Sequence, residues 1–125
     1  MLEFISFIVH LLRRPKMFFI QKIDDFYFMV SGYIAGKEEK GYSIFMEEFS
    51  KYLSKKYNFK DGTQYNLIIK SMSVYNNITL EILRDEMFYF LNREEIKTMN
   101  FGEFIDDKEL KKLSLGIDPS DLLDL

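Results

Sequence analysis

Phe45, Phe49, Tyr52, Leu53 and Tyr57 follow one another at offsets of 4, 7, 8 and 12 residues, with Glu47, Glu48, Lys51, Lys55 and Lys56 filling the spaces between. This repeat matches the period of about 3.6 residues of an α-helix, with one apolar stripe set against a charged face. A helix of this kind must bury its stripe, so the chain has to supply other elements that pack against it. The acids come early and the lysines late, the order that the helix dipole favours. Ser43 is the expected N-cap, and Gly41 with Tyr42 is expected to form the connection leading into the helix.

The same logic recurs along the chain. Thr79 is an expected cap for a helix to Asn92, with Glu81 in its first turn and Leu80, Leu83, Met87, Phe90 and Leu91 on one face. Asp24 or Asp25 is expected to cap a helix through Phe26, Met29, Val30, Tyr33 and Ile34. Between Gln64 and Asn76, Tyr65, Ile68, Ile69 and Met72 fit helical spacing, although Leu67-Ile68-Ile69 also suits a short strand. Helix is expected there, because no second strand pattern offers a partner. Phe104 to Leu115 forms a short amphipathic stretch, and Asp118-Pro119 has the form of a cap followed by a first helical residue. Leu122, Leu123 and Leu125 then follow and are expected to dock, with a frayed end as the alternative.

The first residues, Met1 to Arg14, are strongly apolar. Glu3 comes first and Arg13-Arg14 last, the reverse of a secretory signal, and the run falls short of the ~18 apolar residues of a membrane span. A buried first helix is therefore expected. The fold class that follows is mainly all-α, a bundle of about five or six helices with at most a minor β ribbon. One domain covering 1–125 is expected, with 104–125 an acidic C-terminal extension, since 125 residues suffice for one core. The 13 Phe and 8 Tyr supply that core amply.

The residue types missing from the chain exclude whole classes of chemistry. With no cysteine there is no thiol nucleophile, disulfide framework or thiolate zinc site, and a reducing compartment, the cytoplasm, is the expected location. His10 is the one histidine and lies in an apolar stretch, so a two-histidine zinc motif is excluded and a structural role is expected for it. No cofactor or metal is expected.

Arg14-Pro15-x-Met17, Gly32-Tyr33, the Phe45/Phe49/Leu53 stripe, Tyr65-x-x-Ile68-Ile69 and Met87-Phe88-x-Phe90-Leu91 occur in that order. Over residues 11 to 92 this pattern resembles a set of small helical bacterial proteins that carry no assigned chemistry. In them the first motif usually reads Arg-Pro-Gly-Met-Tyr, and tryptophans stand where this chain has Tyr52 and Tyr65. Proteins of this size and style often serve as immunity partners of bacterial toxins, so the resemblance implies protein binding rather than catalysis. Arg14 to Phe18 also resembles a signature near the ATP lid of gyrase-type ATPases. Lys16 replaces its glycine, however, and no Asp-x-Gly-x-Gly motif follows, so nucleotide binding is not expected.

The motif positions suggest structural roles. Pro15 stops one helix, and Arg14 is placed to bond carbonyls at its end. Gly32 is expected to admit a neighbouring helix, and Tyr33 to bury its ring and find a partner for its hydroxyl.

Charge is unevenly spread. Residues 1–60 hold ten Lys and Arg against seven Asp and Glu, net +3, and residues 61–125 hold seven against thirteen, net −6. Asp85 to Glu109 carries eight acids and three bases, net −5. Such a surface repels nucleic acid and steers a basic protein toward it, a toxin nuclease for example. Asp85, Glu94, Glu95, Asp106 and Asp107 are the candidate partner-binding residues. The expected function is a small intracellular protein-binding protein, of immunity type, that neutralises a toxin by occlusion. The alternatives are a structural or regulatory subunit that forms a homodimer through Phe18, Phe19 and Phe59, and an enzyme of unknown class. Neither nucleic acid nor membrane is expected as a partner.

Overall fold

The computed structural model describes residues 1–37 and 39–93. Five α-helices run through them: α1 (Leu2–Arg13), α2 (Ile23–Lys37), α3 (Lys40–Tyr57), α4 (Tyr65–Lys70) and α5 (Asn76–Leu91). A 3-10 turn, Pro15–Phe18, joins α1 to α2. No strand occurs among the described residues, so Ile68 and Ile69 lie on a helix and both are buried. The stretches expected at Phe104–Leu115, Asp118-Pro119 and Leu122–Leu125 lie outside the described residues.

The first helix buries one side against the bundle. Phe4, Ile5, Ile8, Val9, Leu11 and Leu12 are all buried and fall within about 160° of its circumference, one broad face, while Glu3, His10 and Arg13 are exposed on the other side. No described helix is long and apolar enough to cross a membrane. His10 is on the exposed side, and its Nδ1 lies 2.7 Å from the Ser6 carbonyl one turn back. α5 packs against α1, α2, α3 and α4, so it closes the bundle.

Aromatic rings carry the contacts between helices. Phe4 of α1 stacks on Tyr42 at 4.5 Å and meets Phe45 edge-on at 5.8 Å, both from α3. Phe90 of α5 touches Phe45, Phe49 and Tyr52 at 5.4, 5.3 and 5.5 Å. Tyr65 of α4 lies 5.6 Å from Phe49 and 6.2 Å from Phe26 of α2. Each such contact contributes about 0.5–1.5 kcal/mol beyond the area it buries.

Several expected helix ends are displaced, each for a physical reason. α3 begins at Lys40, so Ser43 lies inside the helix and does not cap it, while Gly41 and Tyr42 are buried in its first turn. The stack of Tyr42 on Phe4 holds that extra turn, a tertiary gain that outweighs the poor helix propensity of Gly41. Thr79 likewise lies within α5, where its hydroxyl donates to the Asn76 carbonyl at 2.8 Å. Asp25 does serve the start of α2, but from inside the first turn, where its Oδ2 accepts from the backbone N–H of Gln21 at 2.9 Å and of Lys22 at 3.2 Å.

Gly32 also departs from expectation. It is exposed, and a Cβ built on it meets nothing within 4 Å, so no neighbouring helix requires a glycine there. Gly32→Ala should therefore raise the unfolding free energy by about 0.5–1 kcal/mol, because the alanine chain loses less backbone entropy on folding. Urea titration of the two proteins checks this, with a lower midpoint for the alanine variant as the contrary result.

Candidate functional site

The residues singled out in the sequence do not converge on one place. Tyr33 stacks on Phe7 at 4.2 Å and donates a hydrogen bond to Glu3 at 3.2 Å, near the start of α1. Burial first, and then this bond to a carboxylate, raise the pKa of its phenol. Arg14, Pro15 and Met17 lie at the other end of α1, roughly 18 Å away along a twelve-residue helix. Arg14 is exposed, and its backbone N–H, rather than its side chain, bonds the His10 carbonyl at 3.2 Å. Of the candidate partner-binding acids, only Asp85 is described; Glu94, Glu95, Asp106 and Asp107 lie outside the described residues.

The Asp85-Glu86 doublet points two ways, as adjacent helical positions must. Glu86 is turned into the protein, with its side chain only 6% exposed. Lys56 of α3 places Nζ 3.0 Å from both carboxylate oxygens, Tyr52 donates to it at 3.1 Å, and Tyr57 donates to the other oxygen. Burial opposes the charge on Lys56, but the bonds to Glu86 and Tyr52 override it and raise its pKa. Burial and then Glu86 raise the pKa of Tyr52 and Tyr57 too. Both oxygens of Glu86 are engaged, so this cluster ties α3 to α5 and presents no free lone pair to a substrate. The sequence signal for it was the i,i+4 spacing of Tyr52 and Lys56 on α3.

A groove lies on the opposite side of α5, between its first half and the 3-10 turn. It measures about 490 Å³, and Leu12, Pro15, Phe19, Ile20 and Leu80 form its apolar surface. Lys16, Glu81 and Arg84 supply its charge. Arg84 is nearly buried, with Nε 3.6 Å from Asp85 Oδ1, close enough to attract but too far to share a hydrogen bond. Lys16 and the adjacent Arg13, Arg14 and Lys22 are exposed and form no ion pair with any other described residue.

Phe19 stands at the edge of this groove, and two features mark it out. Its backbone adopts the left-handed conformation, φ 60, in which glycine is the usual residue. Its ring is 88% exposed. A phenylalanine there incurs strain and gains little burial. Val74 and Tyr75, in the turn leading to the groove residue Asn77, are exposed as well. Among the described residues no three His, Asp or Glu side chains gather where they could hold a metal ion.

Neither a protein-family model, nor a curated protein, nor a solved structure matches the chain.

The Glu86 cluster yields two expected outcomes. Lys56→Met leaves a buried carboxylate without its cation and should cost about 3 kcal/mol. Glu86→Gln leaves a lysine that can reach water and should cost about 1–2 kcal/mol, so the order of the two urea midpoints checks the assignment. Lys56, Tyr52 and Tyr57 all hold protons more tightly folded than unfolded. Their contribution is complete below about pH 10 and is lost as pH rises, so stability should fall between about pH 10 and 12. The fall should be shallower in Glu86→Gln, as alkaline titration followed by circular dichroism will reveal.

Proposed function

We propose that this protein binds another protein and acts by occlusion, in the manner of an immunity protein that neutralises a toxin. The observation that carries the proposal is the groove beside Phe19, where an exposed aromatic ring is held in a strained backbone position. Exposed apolar surface of this kind, rimmed by charge, is characteristic of protein contact sites. Rings such as that of Phe19 anchor interfaces by filling a pocket on the partner. Lys16 in the groove wall and the cations beside it, which pair with no described residue, favour an acidic segment around the apolar anchor of the partner.

A second reading rests on the acidic run from Asp85 to Glu109, whose formal net charge is −5. Its acids other than the buried, Lys56-paired Glu86 favour a basic partner such as a toxin nuclease domain. The two readings call for opposite charge reversals. Lys16→Glu with Arg14→Glu weakens binding at the groove. Reversal of Glu94, Glu95, Asp106 and Asp107 to lysine weakens binding through the acidic run.

The decisive variant for the groove is Phe19→Gly. It relieves the left-handed strain and removes the ring, so the free protein should keep or raise its melting temperature. Capture of the partner should meanwhile weaken at least about tenfold, the scale of a lost interface anchor. Capture that survives both Phe19→Gly and the rim reversals moves the site to the acidic run. Concentration-dependent self-association lost in Phe19→Gly, read by sedimentation, replaces the partner with a second copy of this chain.

A further inference from the structure

The groove beside Phe19 is apolar within and cationic at its rim. Leu12, Pro15, Ile20 and Leu80 form its apolar wall, and Lys16 and Arg84 line it against a single acid, Glu81. Arg13, Arg14 and Lys22, close by in the chain, are exposed and pair with no described residue. An occupant that matches this surface carries apolar side chains between carboxylates and no base of its own.

The chain contains such a segment beyond Arg93. Residues 118–125 read Asp118-Pro119-Ser120-Asp121-Leu122-Leu123-Asp124-Leu125, three acids interleaved with three leucines and no lysine or arginine. The amphipathic stretch before it does not match, because Lys108, Lys111 and Lys112 offset Asp106, Asp107 and Glu109.

Reach also permits the contact. Asn77, in the first turn of α5, lines the groove, so Arg93 lies ~24 Å from it along the helix. Residues 94–117 can span up to ~80 Å when extended, which brings Leu122 and Leu123 back to the groove with length to spare. A tethered segment acts at an effective concentration on the order of 1 mM, so a contact that is weak between separate molecules is occupied within one.

We propose that residues 118–125 occupy this groove in the free protein, with Leu122 and Leu123 against its apolar wall and the Phe19 ring, and Asp118, Asp121 and Asp124 facing Lys16 and the cations beside it. The proposal rests on the reading of the groove as a protein-docking site and makes that site self-inhibited. A partner enters by displacing the chain's own acidic, leucine-bearing segment.

The chain contains no tryptophan, so Phe19→Trp in the full chain puts a lone fluorophore at the groove. Adding Leu122→Asp and Leu123→Asp should shift its emission to longer wavelength and open it to acrylamide quenching, while thermal unfolding stays cooperative. A synthetic peptide of residues 116–125, added to that triple variant, should restore the shorter wavelength, and a peptide carrying the same two aspartates should not. High salt should weaken the effect of the peptide, since the rim cations are exposed. The proposal is overturned if the leucine changes leave emission and quenching as they were, or if the unmodified peptide has no effect on the triple variant. Short-wavelength emission that grows with protein concentration also overturns it, because the segment then sits on a second copy. Partner capture lost in Phe19→Gly, with emission indifferent to Leu122 and Leu123, overturns the segment's contact alone and keeps the docking reading. The reverse pair of results keeps the contact and overturns that reading.

Discussion

The stack of Tyr42 on Phe4, 4.5 Å between centroids and 9° between planes, is the contact on which the other helices depend. It fixes the start of α3 against the first turns of α1. From there Phe45 leads to Phe90, and Phe90 to Phe49 and Tyr52. Phe49 in turn reaches Tyr65, and Tyr65 reaches Phe26. One chain of rings therefore links all five helices. Aromatic side chains bury large areas with few rotatable bonds, so this seam gains contact at low entropic cost. It also explains why a six-residue helix such as α4, too short to persist alone, holds its place. Its first backbone N–H is taken by Ser50 of α3 at 2.9 Å, so the larger helix caps the smaller one.

The buried carboxylate of this core is tied down on all sides. Glu86 receives hydrogen bonds from a lysine and two tyrosines, which offsets the cost of burying its charge. The Lys56 ammonium lies 4.9 Å from the Tyr89 ring centroid as well, so the cation has an aromatic face beside it. The cluster fixes the rotation of α5 about its axis. That rotation turns Glu86 inward and sets Glu81 and Arg84 along the groove.

Some positions run against this consistency, Phe19 and Tyr65 among them. Phe19 holds a strained backbone with its ring in water, and Tyr65 holds a buried hydroxyl with no partner among the described residues. Each would be more stable as another residue, glycine in the first case and phenylalanine in the second. Local cost without local return is a mark of functional positions in otherwise self-consistent folds. The proposed docking groove is built on the first of them.

The helical fold was legible in the residues, since the stripes at Phe45/Phe49/Leu53 and Leu83/Met87/Phe90 carry a period that only an α-helix buries on one side. The buried first helix followed from the apolar run around Phe4 and Ile8, and the stop at Pro15 from its missing N–H. Helix ends, the exposure of Gly32 and the pairing of Glu86 were not legible, because they depend on partners distant in the chain. Tyr42 extends α3 only because Phe4 is there to stack on it, and Glu86 can be buried only because α3 brings Lys56, Tyr52 and Tyr57 to it. The candidate site divides in the same way. Phe19 stood out as an aromatic residue, but its left-handed backbone and its place beside the groove depend on how α1 ends and where α5 crosses it. Periodicity is a property of the chain itself, so the sequence determined that these residues form helices and which faces they bury. Which side chains meet across those faces is a property of packing, and only the tertiary structure decided it.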